Sequence, residues 1–140
     1  MTIENKFYDI GVNIKEAGII GITIGKNCTI ISPVNLYECV IGDNCFIGPF
    51  VEMQRNAKIG NNTRVSSHSF ICEGVAIGEN CFIGHGVMFI NDTFSALGRP
   101  AYKEKQYCKE TYVGNNVTIG SNATILPVRI CEKVIIGAGA

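Results

Sequence analysis

The dipeptide Ile-Gly returns along this chain at fixed intervals, and that rhythm restricts the fold more than any other property. It stands at Ile24-Gly25, Ile41-Gly42, Ile47-Gly48, Ile59-Gly60, Ile77-Gly78, Ile83-Gly84, Ile119-Gly120 and Ile136-Gly137, with Val113-Gly114 as a variant. Gly42 to Gly48, Gly78 to Gly84 and Gly114 to Gly120 are steps of 6, while Gly42 to Gly60 to Gly78 are steps of 18. Gly25 to Gly42 and Gly120 to Gly137 are 17, one residue short. A period of 18 built from sixes predicts a coil with three flat faces. Each coil lies on the last at the inter-strand spacing of ~4.8 Å, with backbone hydrogen bonds along the axis.

Written in sixes, the lead position reads Ile41, Ile47, Met53, Ile59, Val65, Ile71, Ile77, Ile83, Phe89. Four residues after each lead comes a second, mostly small residue: Cys45, Val51, Ala57, Thr63, Ser69, Val75, Cys81, Val87. Both are expected to point inward. Asn27, Asn44, Asn62, Asn80, Asn116 and Asn122 fall three residues after their leads. Asn tolerates the left-handed backbone conformation, so these read as corner residues, not as ligand contacts. Cys28, Cys45 and Cys81 share the small inward column and read as buried thiols acting as small hydrophobes, with no zinc or disulfide role.

Composition agrees. Ile and Val number 32 against three Leu, as suits pleated strands and not a helical bundle. The expected class is all-β, a single-stranded parallel β-helix in one domain over residues 1–140. Residues 1–18 read as an N-terminal cap. The pattern lapses after Phe94 and resumes at Val113, which marks residues 95–112 as an excursion loop carrying the cations Arg99, Lys103, Lys105 and Lys109. The repeat runs to Ala140 without a visible cap, so a truncated chain or a covering second copy is expected at that end. Formal net charge is zero, which argues against a nucleic-acid binder held by phosphate contacts. No run approaches the ~20 apolar residues of a membrane helix. Met1 to Ile10 lacks a signal peptide's apolar stretch, and unpaired thiols in a core suit the reducing cytoplasm.

Subtracting coils places the residues that could do chemistry. His85 stacks over Ser67 and Pro49 in an outward column; His68 stacks over Phe50 and under Gly86 at a corner. Asn91 follows His85 by six residues, in the column of Glu73 and Arg55, and Asp92 comes next, where the loop departs. A lone outward His is ordinarily a plain surface residue. Two His, an Asn and an Asp near a loop that leaves a regular scaffold point instead to a site, since His titrates near neutrality and can take a proton. These side chains are expected on one shared rim.

The hexad pattern resembles the left-handed β-helix, hexapeptide-repeat acyltransferases. Two stretches, Ser67-His68-Ser69-Phe70-Ile71-Cys72-Glu73 and Gly84-His85-Gly86-Val87-Met88-Phe89-Ile90-Asn91-Asp92, resemble the branch that N-acetylates nucleotide-linked amino sugars. That branch is typified by the N-acetyltransferases of UDP-2-acetamido-3-amino-2,3-dideoxy-glucuronate. The resemblance implies a left-handed coil and a homotrimer of parallel prisms making surface polysaccharide. It places acetyl-CoA between neighbouring subunits and the sugar nucleotide nearer the N-terminal coils. By similarity Asn91 orients the sugar amine, and His85 or His68 binds substrate or accepts a proton. Glu73, Asp92 and Arg55 are the implied substrate contacts, and Gly120 and Ala138 the implied cofactor contacts. No metal is implied, because a thioester is already activated and positioning an amine beside it supplies much of the rate.

Three other readings stay open. Acetyl transfer to a sugar hydroxyl would demand a true general base. A non-catalytic or truncated trimer would hold no cofactor. A zinc lyase like the β-helix carbonic anhydrases would need three His where this chain has two, so a Cys or Asp would have to complete the site.

Overall fold

The computed structural model describes residues 11–93 and 108–140. Residues 1–10 and 94–107 lie outside the described residues, and with them most of the expected cap, the body of the expected loop, and Arg99, Lys103 and Lys105. Among the described residues there is no helix, and so none long and apolar enough to cross a membrane. The chain winds into a three-sided parallel β-solenoid made of three six-stranded sheets.

Face A stacks Ile19–Ile20, Asn35–Tyr37, Glu52–Met53, Phe70–Ile71, Met88–Phe89 and Thr124–Ile125. Face B stacks Thr23–Ile24, Val40–Ile41, Lys58–Ile59, Val75–Ile77, Thr111–Val113 and Arg129–Ile130. Face C stacks Thr29–Ile30, Phe46–Ile47, Arg64–Val65, Phe82–Ile83, Thr118–Ile119 and Ile135–Ile136. Each lead pairs with its own equivalent one coil on: Ile41 with Ile59, Ile59 with Ile77, Ile77 with Val113. Every lead from Ile41 to Phe89, and every small residue from Cys45 to Val87, is buried.

The small inward residues of face C do more than fill space. Cys28, Cys45, Thr63 and Cys81 donate S–H or O–H to the carbonyls of Gly42, Gly60, Gly78 and Gly114, at 3.1, 3.1, 2.9 and 3.2 Å. Those carbonyls belong to the next coil, and a buried carbonyl without a donor is costly. Burial pushes the Cys45 and Cys81 thiols up, which keeps them protonated as donors.

Three residues turn most edges between faces, and the third usually stands in the left-handed region. On the B–C edge that position is Asn27, Asn44, Asn62, Asn80 and Asn116, with φ between 55° and 58°, and Lys133 at 61° on the last coil. The expected corner asparagines therefore occupy corners. The middle position forms a ladder in which Asp43, Asn61 and Asn115 Oδ1 accept from the backbone N–H of Lys26, Asp43 and Glu79 at 2.9, 2.8 and 2.8 Å. This edge is spent on holding coils together.

The A–B edge varies in length, and this explains the 17-residue steps. Between the face-A lead and the first inward residue of face B lie Tyr37 and Glu38 in one coil, but Gln54, Arg55 and Asn56 in the next. Cys72, Glu73 and Gly74 follow suit, and near the end the link shrinks to Leu126 and Pro127. The excursion loop leaves this same edge. Its neck is an antiparallel bridge from Asp92 to Cys108, with Lys109 N–H donating to the Asn91 carbonyl at 2.8 Å. The coil resumes at Thr111, two residues before the expected Val113, because buried Thr111 fills an inward slot and pairs with Val75. Its hydroxyl disguises it as a loop residue in the sequence. In the fold that oxygen accepts from Val128 N–H at 3.3 Å.

Candidate functional site

Two edges depart from the Gly-polar-Asn pattern of the B–C edge, and the expected site residues sort onto them. On the C–A edge the first position reads Gly48, Ser66, Gly84, Gly120. The outward middle position reads Pro49, Ser67, His85, Ser121, Ala138, and the third Phe50, His68, Gly86, Asn122, Gly139. His68, His85, Gly120 and Ala138 are thus brought to one edge. Asn91, Glu73, Arg55 and Asp92 gather on the A–B edge instead. His85 and Asn91 stand six residues apart across face A, up to ~20 Å of extended chain. The single rim expected from the sequence is two neighbouring edges of the prism.

On the C–A edge His85 is exposed, and its Nδ1 lies 2.8 Å from Ser67 Oγ on the preceding coil. Its backbone N–H donates to Ser121 Oγ at 3.2 Å, and its carbonyl accepts from Asn122 N–H at 2.8 Å. The imidazole is therefore held from the preceding coil and its backbone from the following one, and among the described residues Nε2 makes no hydrogen bond. His68 stacks on Phe50, with ring centroids 4.8 Å apart and planes 30° from parallel. Ser66 takes a slot that its neighbours fill with glycine, and its buried Oγ has no hydrogen-bond partner among the described residues. Gly120 is a packing residue: a Cβ there would collide with the backbone nitrogen of Ala138. That collision brings the two implied cofactor contacts together on consecutive coils.

The A–B edge carries a chain of polar contacts. Glu52 accepts from Asn35 Nδ2 and Gln54 Nε2, each at 3.3 Å. Gln54 Oε1 accepts from Glu73 N–H at 3.1 Å, and the Glu73 carbonyl accepts from Asn91 Nδ2 at 3.2 Å. The Asn91 carboxamide is thus fixed by its nitrogen, and among the described residues its Oδ1 makes no hydrogen bond. Arg55 pairs with Glu38 at 3.4 Å. Burial, then the Glu52 carboxylate, push the Tyr37 hydroxyl up. Gln54 and Ser67 carry much of this geometry, and sequence reading gave them no role. The signal for Ser67 was its register under His85. Gln54 had none, since its contacts cross between coils and edges.

Among the described residues no group of three or more His, Cys, Asp or Glu is placed to hold a metal. A surface depression lined by Tyr112, Asn115, Arg129, Ile130, Cys131 and Glu132 touches none of the expected site residues.

Known proteins repeat this pattern. A family model described as bacterial transferase hexapeptide (six repeats) matches residues 38–73 and 56–91, and one described as hexapeptide repeat of succinyl-transferase matches 10–31 and 111–140. The chain is 31% identical over 144 residues to the bifunctional protein GlmU of Clostridium novyi, covering 99% of this chain and 28% of that protein. It is 27% identical over 153 residues to GlmU of Pseudoalteromonas atlantica, covering 94% of this chain and 33% of that protein. The chain therefore spans a third or less of these curated relatives. Among solved structures, the polySia-specific acetyltransferase NeuO aligns with TM-score 0.45 at 18% identity, over 89% of this chain and 69% of that one. Its three-faced coils, its six-residue register and the two family models together show that the chain is a hexapeptide-repeat β-solenoid of the bacterial transferase hexapeptide type.

Proposed function

We propose that this protein is an acetyl-CoA-dependent N-acetyltransferase acting on the amine of a nucleotide-linked amino sugar for surface polysaccharide, as a homotrimer in the cytoplasm. The observation that carries the reading is the fixed Asn91 carboxamide, whose nitrogen is held by Glu73 and whose Oδ1 is left to receive an amine N–H. A three-fold ring joins subunits head to tail, so two different surfaces meet at each interface. The C–A edge of one prism, with His68, His85, Gly120 and Ala138, then faces the A–B edge of the next, with Asn91, Glu73, Arg55 and Asp92. Neither edge is a complete site by itself.

In this mechanism Asn91 Oδ1 orients the neutral amine, whose lone pair attacks the thioester carbonyl carbon. The carbon–sulfur bond then breaks, and the departing thiolate takes the proton released from nitrogen, directly or through His85 Nε2. Glu73, Asp92 and Arg55 bind the acceptor, and Gly120 and Ala138 lie along the acetyl-CoA. No protein nucleophile is needed, because the rate comes from holding amine and thioester in contact.

A second reading, transfer to a sugar hydroxyl, draws support from the Ser67–His85 contact, which would poise Nε2 as the base a hydroxyl requires. Incubation with acetyl-CoA and a panel of UDP- and dTDP-linked amino sugars, following thiol release, tests both. Release with an amino sugar, falling roughly 100-fold in Asn91→Ala, supports the proposal. Release only with sugars that lack a free amine selects the hydroxyl reading, and no release above buffer hydrolysis with any sugar rejects both.

A further inference from the structure

The third position of the C–A edge is built unlike its counterparts. Phe50 and His68 hold it at φ 62° and 64°, in the region that the B–C edge gives to asparagine. Bulky side chains are uncommon there, and such strain collects at functional positions. Core packing does not repay it, since Phe50 is 57% exposed and His68 is exposed too. The two rings are stacked on each other, and the stack stops one coil later at Gly86, which has the same backbone conformation at φ 64° and no side chain. A Cβ on Gly86 would meet only the Asn122 side chain, with Oδ1 at 2.6 Å and Cγ at 3.8 Å. The Asn122 carboxamide thus reaches down beside the Gly86 level, one coil rise, roughly 4.8 Å, above His68.

We propose that the open top of this stack is the seat of a nucleobase: a planar ring laid on His68 as the third member of the Phe50–His68 column, with its edge toward the Asn122 carboxamide. Every base has a π-face, so an aromatic platform accepts it, and a carboxamide offers both donor and acceptor to its edge. His68 is then a binding residue and leaves proton transfer to His85. The assignment rests on the reading above for the source of the base. That source is the pyrimidine of the sugar nucleotide or the adenine of coenzyme A, and separate titrations with UMP and AMP distinguish them.

The full chain is titrated with each nucleotide while the base protons are followed by NMR. Stacking moves those protons upfield, and His68→Ala weakens binding roughly 5- to 100-fold. His68→Phe keeps affinity within about 3-fold, because the platform survives. Gly86→Asn places a side chain over His68, in a backbone conformation that Asn tolerates, and abolishes the shift, while a cooperative melt shows the variant still folded. Ribose 5-phosphate, which has no base, does not compete. The seat is overturned if neither nucleotide shifts, if His68→Ala and Gly86→Asn bind like the parent, or if ribose 5-phosphate competes equally. Nucleotide binding without any acetyl transfer rejects the enzyme and keeps the seat. Acetyl transfer with unshifted base protons rejects the seat and keeps the enzyme.

Discussion

Ser67 Oγ lies 2.8 Å from His85 Nδ1, so one ring nitrogen is committed to the preceding coil and the other faces outward. For Nε2 to accept a proton it must be bare, and Nδ1 then carries the hydrogen and donates it to Ser67. The contact orients the ring, and the serine hydroxyl can serve either tautomer, accepting from Nδ1–H when Nε2 is bare.

The first prediction concerns that contact. Ser67→Ala should lower kcat/KM by about 5-fold, on the scale of one orienting hydrogen bond. His85→Gln should cost on the order of 100-fold if the acceptor is a hydroxyl, where a general base is indispensable. With an amine acceptor, whose proton can leave with the thiolate, the loss should stay within about 10-fold. Steady-state kinetics of both variants on both acceptor types checks this.

Gly84 and Gly137 make a matched pair. A Cβ on Gly84 would sit 2.7 Å from the Ser121 backbone nitrogen, whereas nothing approaches one on Gly137 within 4 Å. Gly84→Ala should destabilise by about 2 kcal/mol, and Gly137→Ala by less than ~0.5 kcal/mol. Urea titrations of the two variants decide it.

One strand supplies the third test. Ile83 is fully buried, while its neighbour Phe82 points outward and is 41% exposed. Ile83→Ala should cost about 2–5 kcal/mol, the transfer and cavity cost of a core aliphatic. Phe82→Ala should cost under ~1 kcal/mol despite the larger side chain removed. An equal loss in thermal melts of both would contradict the inward–outward alternation.

The thiols set an alkaline limit. Burial pushes Cys72 from 9.0 to about 11, with weaker contributions from Cys108 and Glu73, and raises Cys39, Cys45 and Cys81 as well. The unfolded chain gives up these protons first as pH rises. Stability is then fully present below pH 9 and is lost progressively from pH 9 to 11. Melting temperature measured from pH 7 to 11 should fall above pH 9, and Cys72→Ala should reduce the slope.

Much of this was legible because one residue per coil enters each column. Counting by 18 placed Asn62 and Asn80 at corners, Ile83 inside, and His85 over Ser67. The same counting gave His85 and Asn91 different columns six residues apart, and the single rim came instead from treating neighbouring columns near the loop as one cluster, since six residues span a whole face. It also missed Gln54, whose amide ties Glu52 to Glu73 across coils. The return of the loop at Thr111 was hidden by a hydroxyl in a position that elsewhere holds Val75 and Ala57.

The A–B edge has a consequence for how such a chain can change. It is crossed by two residues at Tyr37-Glu38, by three at Gln54-Arg55-Asn56, and by the whole span from Ile90 to Glu110, yet the leads on either side stay aligned. It works as an expansion joint: foreign sequence grafted there is absorbed locally, whereas one residue inserted within a face would throw every later coil out of step.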